Sequence, residues 1–189
     1  MAIQTWVSNL VAQKEAGTSF GTYTTAKTVV PATSLKTLYA NELYVGKMYE
    51  IDILGGIGTL VTTPGTITFQ VKFGSVVAFT SGAIQLNATA HTNLPFWLKI
   101  FLTCRTIGNS TTATMMGQAI AHGMMFTNTA GQTDDANSMA MLMAPATAPA
   151  VGTGFDSTTD NIVDFFAGFS ISDAANTIKV EQHSMKALN

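Results

Sequence analysis

The sequence predicts an all-β, antiparallel fold with little helix, and three observations lead there. Apolar and polar residues alternate with a period of two over several segments, as half-buried strands do. Turn residues divide these segments at the spacing of sandwiches and barrels, giving about eight to ten short strands. Polarity is carried mostly by Thr, Ser, Asn and Gln: charged residues make up 11% and hydrophobic residues 47%, against about 25% charged in an ordinary domain.

Helix is expected only near residues 2–15, where Ile3, Trp6, Val7, Leu10 and Val11 fall at helical spacing. KTVVPAT (27–33) and LKTLYANELYV (35–45) read as short strands around Pro31. KMYEIDILGGIGTL (47–60) alternates, with Met48, Glu50 and Asp52 opposite Tyr49, Ile51 and Ile53. Gly55, Gly56 and Gly58 are expected to end or bulge that strand. TTPG (62–65) reverses the chain. TITFQVKFG (66–74) is the cleanest strand, with Ile67, Phe69, Val71 and Phe73 on one face. SVVAFTSGAIQLNA reads as two short strands separated by Ser81-Gly82.

LPFWLKIFLTCRT places Phe96, Leu98, Ile100, Leu102 and Cys104 on a wholly apolar face, and Trp97, Lys99, Phe101, Thr103 and Arg105 on a mixed one. IGNST turns the chain, and TATMMGQAIAHGMMF returns as the partner strand. Ala and Met favour helix there, but the Thr run, the two glycines and the preceding strand favour β. Residues 127–158, rich in Ala, Thr, Gly and Pro, read as a long loop of the kind that is functional or flexible. DNIVDFFAGFSI (160–171) and NTIKVEQHSMKAL (176–188) give the last two strands, joined by a turn at SDAAN. In the final strand Ile178, Val180, Gln182 and Ser184 are expected on one face, and Lys179, Glu181 and His183 on the other.

The 189 residues suffice for one domain with a sizeable core. Few charges with a positive mean hydropathy imply that neighbours cover much of the surface. The net charge is -2, and the eight Lys and one Arg are scattered, so no electrostatic footprint for nucleic acid exists. Cys104 is the only cysteine, which excludes an intrachain disulfide. The start has no signal-peptide pattern, and no apolar run approaches the roughly 20 residues of a membrane helix. The chain is expected to be made in a host cytoplasm, with no membrane partner.

Taken together, the Thr-rich alternating strands, the FWLKIFLTCRT central strand, the Gly-Asn-Ser turn, the Thr/Ala/Met return strand and the closing SDAANTIKVEQHSMKAL hairpin have a likeness. Over about residues 25–188 the pattern resembles the single jelly-roll domains of viral and bacteriophage virion proteins: head-decoration, head-fibre and small capsid types. The resemblance implies one antiparallel jelly-roll sandwich of about eight strands over residues 25–189, with a long loop at about 127–158, preceded by an arm or docking segment at 1–24. It departs from genome-contacting coat proteins, because MAIQTWVSNLVAQKEAGTSFG is no basic arm.

No catalytic constellation emerges, so neither an enzyme nor a cofactor is expected. His91, His122 and His183 lack any short ligand spacing. Asp134, Asp135, Asp156, Asp160 and Asp164 could offer oxygens to Ca²⁺, but no Asp-x-Asp-x-Asp-Gly loop is present. Glu50 and Asp52 share a strand face and read as solvated. GGIG (55–58) lacks the Lys and Ser/Thr of a phosphate loop.

What remains is apolar surface. Met115, Met116, Met124 and Met125 read as core filling. Met139, Met141, Leu142 and Met143, in a loop, have no reason to face water and are expected to pack on a neighbouring subunit or shell. Trp6, Val7 and Leu10 are the matching candidates in the arm. The expected role is a virion structural protein, capsid-associated as a decoration or minor capsid protein, binding itself as a trimer or higher and binding other virion proteins. The alternatives are a shell-forming major capsid protein, or a receptor- or glycan-binding module of a tail or fibre with Trp97, Tyr44, Tyr49 or Phe155 as its platform.

Overall fold

A computed structural model of the chain describes residues 7–60, 62–127 and 140–188. Among them are thirteen strands: β1 (Val7–Ala12), β2 (Phe20–Gly21), β3 (Lys27–Thr28), β4 (Lys36–Leu38), β5 (Met48–Thr59), β6 (Thr66–Phe73), β7 (Val76–Leu86), β8 (His91–Thr106), β9 (Thr114–Gly123), β10 (Phe126–Thr127), β11 (Ala140–Ala144), β12 (Asn161–Phe169) and β13 (Thr177–Leu188). The single helical piece among the described residues is a 3-10 turn at Ala32–Ser34.

The strands form two antiparallel sheets. One runs β1-β13-β5-β8-β9-β11, with β2 also on β13; the other runs β10-β7-β6-β12-β3, with β4 also on β12. The pairings nest like a hairpin wrapped on itself. The first strand meets the last (β1 with β13), β3 and β4 meet β12, β5 meets β8, and β6 meets β7. That is the jelly-roll order, as expected. The count exceeds the expected eight because β9, β10 and β11 are inserted between β8 and β12 and widen both sheets, because β2 prolongs the first strand, and because β3 and β4 share one place beside β12.

The core lies between the sheets, built by the alternation of each strand. Ile67, Phe69, Val71 and Phe73 of β6 are all buried, as are Phe96, Leu98, Ile100, Leu102 and Cys104 of β8. The ring of Phe69 stacks on Phe96 of the opposite sheet at 5.9 Å and on Phe165 at 5.7 Å. Burying that many side chains, at about 1.5–3 kcal/mol each, is the main force closing the sandwich.

Several expectations are corrected, and bulges explain most of them. Residues 7–12 are an edge strand and not a helix. A bulge between Asn9 and Val11 presses both Leu10 and Val11 onto the core, and two adjacent inward apolar residues imitate helical spacing. The described part of the expected arm therefore lies on its own domain. Gly17 continues the contact by donating its N–H to the Val180 carbonyl at 2.8 Å.

Of the two outcomes expected at Gly55, Gly56 and Gly58, the strand takes the bulge: β5 does not end there but runs to Thr59 with a register shift against β8 between Ile57 and Thr59. The glycine at 55 is needed because a Cβ there would sit 2.1 Å from the Lys179 carbonyl oxygen. The two strands expected around Ser81-Gly82 are one strand, β7, with a bulge at that pair. In β13 a bulge between Val180 and Gln182 reverses the expected parity. His183 then turns inward beside Met185 and Ala187, while Gln182 stays exposed. The expected long loop is also interrupted: Ala140–Ala144 is a strand paired with β9.

Candidate interaction surface

The outward side chains of the larger sheet are aligned by register into rows. One row reads Gln182, Leu54, Trp97, His122, Met141; the next reads Ser184, Asp52, Lys99, Ile120, Met143; a third reads Lys186, Glu50, Phe101, Gln118. Charge sits at one end of these rows and apolar surface at the other.

The charged end is a closed network. Lys186 Nζ donates to Glu50 Oε1 at 3.1 Å and to Asp52 Oδ2 at 3.0 Å. Lys99 Nζ lies 3.1 Å from the same Glu50 oxygen and 3.3 Å from Asp52 Oδ1. The Trp97 indole N–H also donates to Asp52, at 3.3 Å. Burial pushes the Asp52 carboxyl up, but the hydrogen bonds from Lys186 and Trp97 and the charge of Lys99 prevail and hold it below the usual carboxylate range. The hydrogen bonds that Lys186 donates to Asp52 and Glu50 raise its ammonium correspondingly. Glu50 and Asp52 do share a face, as the alternation implied, but each is clamped by two lysines.

Among the described residues, the strands at the opposite end, β9 and β11, carry no Asp, Glu, Lys or Arg. Between Lys72 and Lys99 the sequence has no Asp, Glu, Lys or Arg, and between Arg105 and Asp156 it has only Asp134 and Asp135, which lie outside the described residues. The fold gathers these stretches on one flank. There β9 and β11 extend one sheet and β7 and β10 the other, and the chain after β11 ties the two together. Gly152 donates its N–H to Met115 of β9 at 2.9 Å, and Thr153 donates to Val77 of β7 at 3.2 Å. Met141, Met143 and Val151 are 66%, 55% and 51% exposed on this flank. A cleft of about 230 Å³ lies beside them, lined by Phe79, Gly117, Pro145, Ala148 and Val151 among others.

The candidate interface residues divide between the two edges of one sheet. Met141 and Met143 point outward from β11, while Leu142 packs inward against the core. Val7 is exposed on β1 at the far edge, and Leu10 packs inward. Trp6 and Met139 lie outside the described residues. Sequence reading missed Val151 and the asymmetry of charge; the ion-free stretches were the signal that could have revealed both.

Of the proposed aromatic platform, Tyr49 and Phe155 are core residues and are corrected. Trp97 is half-buried with its N–H engaged, and Tyr44 is exposed elsewhere. Among the described residues, no three His, Cys, Asp or Glu side chains gather as a metal-holding group. His183 is buried, its Nδ1 has no hydrogen-bond partner among the described residues, and burial pushes its pKa down to about 4. No helix of the described residues is long and apolar enough to cross a membrane.

No protein-family model and no curated protein matches the sequence. Among solved structures, the chain is similar to the CBM2 module of the Lactobacillus casei BL23 phage J-1 evolved Dit, over 99% of this chain and 98% of that one, at 9% identity and a TM-score of 0.33. The class defined by the chain's own strand order is the jelly-roll β-sandwich.

Proposed function

We propose that the chain is a non-enzymatic structural protein of a virion, a capsid-associated jelly roll that binds copies of itself and other virion proteins. The observation that carries this reading is the ion-free flank. A surface presenting Met141, Met143 and Val151 on described stretches that contain no Asp, Glu, Lys or Arg is poorly suited to water and well suited to the core of a protein interface, where charged residues are depleted. A jelly roll alone does not name a role, since many functions share the fold; the flank makes assembly the better reading. Each contact can be weak, because repetition over many copies multiplies it.

Sedimentation of the purified chain across a range of concentrations tests this. The expected result is a dimer or larger species that dissociates on dilution, and addition of the chain to shells lacking it should restore bound protein. A monomer at high concentration overturns the reading. Closed particles formed by the chain alone would instead make it the shell-forming protein.

A further inference from the structure

We infer that β11 is the edge through which two copies of this chain join, strand to strand, about a two-fold axis. The inference rests on the self-associating role proposed above and specifies its contact. β11 ends the larger sheet: β9 occupies one side of it, and no strand among the described residues pairs with the other. Its backbone N–H and C=O groups on that side form a template for another strand. Edge strands are normally guarded by Lys, Pro or a bulge. Ala140–Ala144 (AMLMA) has no charge and pairs with β9 without a register shift. The edges of the smaller sheet, β10 on one side and β3 with β4 on the other, are strands of two or three residues and offer little to pair with.

Charge selects the occupant. The far edge of the same sheet, β1, also lacks ionic residues, but it lies in an ionic neighbourhood. Asn9 faces Lys186, which belongs to the Glu50/Asp52 network, and Lys14 and Glu15 follow β1 after one intervening residue. Joining β11 to the β1 edge of a second copy would press an ion-free flank onto charges and strip their water at a cost. Joining β11 to its own copy matches neutral to neutral among the described residues.

The direction agrees, because a two-fold axis normal to the sheet makes β11 antiparallel to its partner. The ladder alternation of the larger sheet then continues. Met141 and Met143 of both copies would fall on one continuous outer face. An anionic membrane surface is a poor occupant, since the flank has no Lys or Arg to attract it. Among the described residues no strand covers the outer side of β1, which leaves it for the further contacts of a larger assembly.

The test uses the full chain. Met141→Lys with Met143→Lys puts charge on outward positions, so the fold and its melting temperature should be retained. Self-association should weaken at least about tenfold, since like charges would meet across the edge. Cysteines introduced singly as Met141→Cys, Met143→Cys and Val7→Cys, alone and mixed, report the geometry. Oxidation should link the β11 variants to one another and leave Val7→Cys unlinked. If the double-lysine variant associates normally, or Val7→Cys links to Met141→Cys, the β11 contact is wrong while self-association stands. If the unmodified chain is a monomer throughout, both fail.

Discussion

The Ser81 hydroxyl accepts the Phe69 N–H at 2.9 Å and donates to the Gly82 carbonyl at 2.6 Å. A bulge takes backbone groups out of the ladder, and here one buried side chain restores the missing partner for β6. Gly82 follows at φ 66, a conformation that suits glycine. Ser81→Ala should therefore strand a buried N–H and cost about 1–3 kcal/mol. The urea midpoint should fall with an unchanged m-value, because the folded and unfolded surfaces stay the same. A midpoint equal to that of the unmodified chain would show that the bulge holds itself.

His183 makes stability depend on pH. The unfolded chain takes up a proton at this residue near pH 6.5, whereas the folded chain resists it until about pH 4. Protons therefore favour unfolding in that window. The contribution of neutral His183 is whole above pH 6.5 and is lost as pH falls toward 4, reaching about 3 kcal/mol. Denaturant melts between pH 7 and 4.5 should show the decline, and His183→Leu should flatten it. An equally steep decline in the leucine variant would place the titration elsewhere.

The bodies of the strands were legible in the sequence because period-two alternation translates directly into burial. In β6 and β8 every residue expected inward is inward. The bulges were not legible. One extra residue shifts every later side chain to the other face, so Gln182 was expected where His183 lies, and Leu10 with Val11 passed for helix. The β11 strand was written in Met139, Met141 and Met143 alternating with Ala140, Leu142 and Ala144. Its setting of Ala and Pro concealed it. At the candidate surface, single residues such as Met141 could be read as unsuited to water. Which stretches come together on one flank depends on long-range strand order, and local pattern does not carry that.

The ion network should stabilise the sheet modestly. Asp52 is held by Lys186, Lys99 and Trp97, yet the lysines remain partly in water, where such pairs are screened. A double-mutant cycle with Asp52→Asn and Lys186→Met should give a coupling of about 0.5–1 kcal/mol at low salt. It should shrink markedly in 1 M NaCl, where the screening length falls to about 3 Å. A coupling that ignores salt would mean that packing, not charge, joins the two residues.

Cys104 should be chemically silent until the domain unfolds. It is fully buried in β8, its thiol donates to the Thr106 carbonyl at 3.4 Å, and burial pushes its pKa up. Both effects deplete the thiolate, which is the species that reacts. Labelling by a thiol reagent in native buffer should thus proceed at the rate of opening and accelerate with denaturant, following the unfolding curve. Rapid stoichiometric labelling of the native chain would mean that β8 and β9 part locally at the Cys104–Met115 pair. That result would move the weakest point of the sandwich from its edges to its centre.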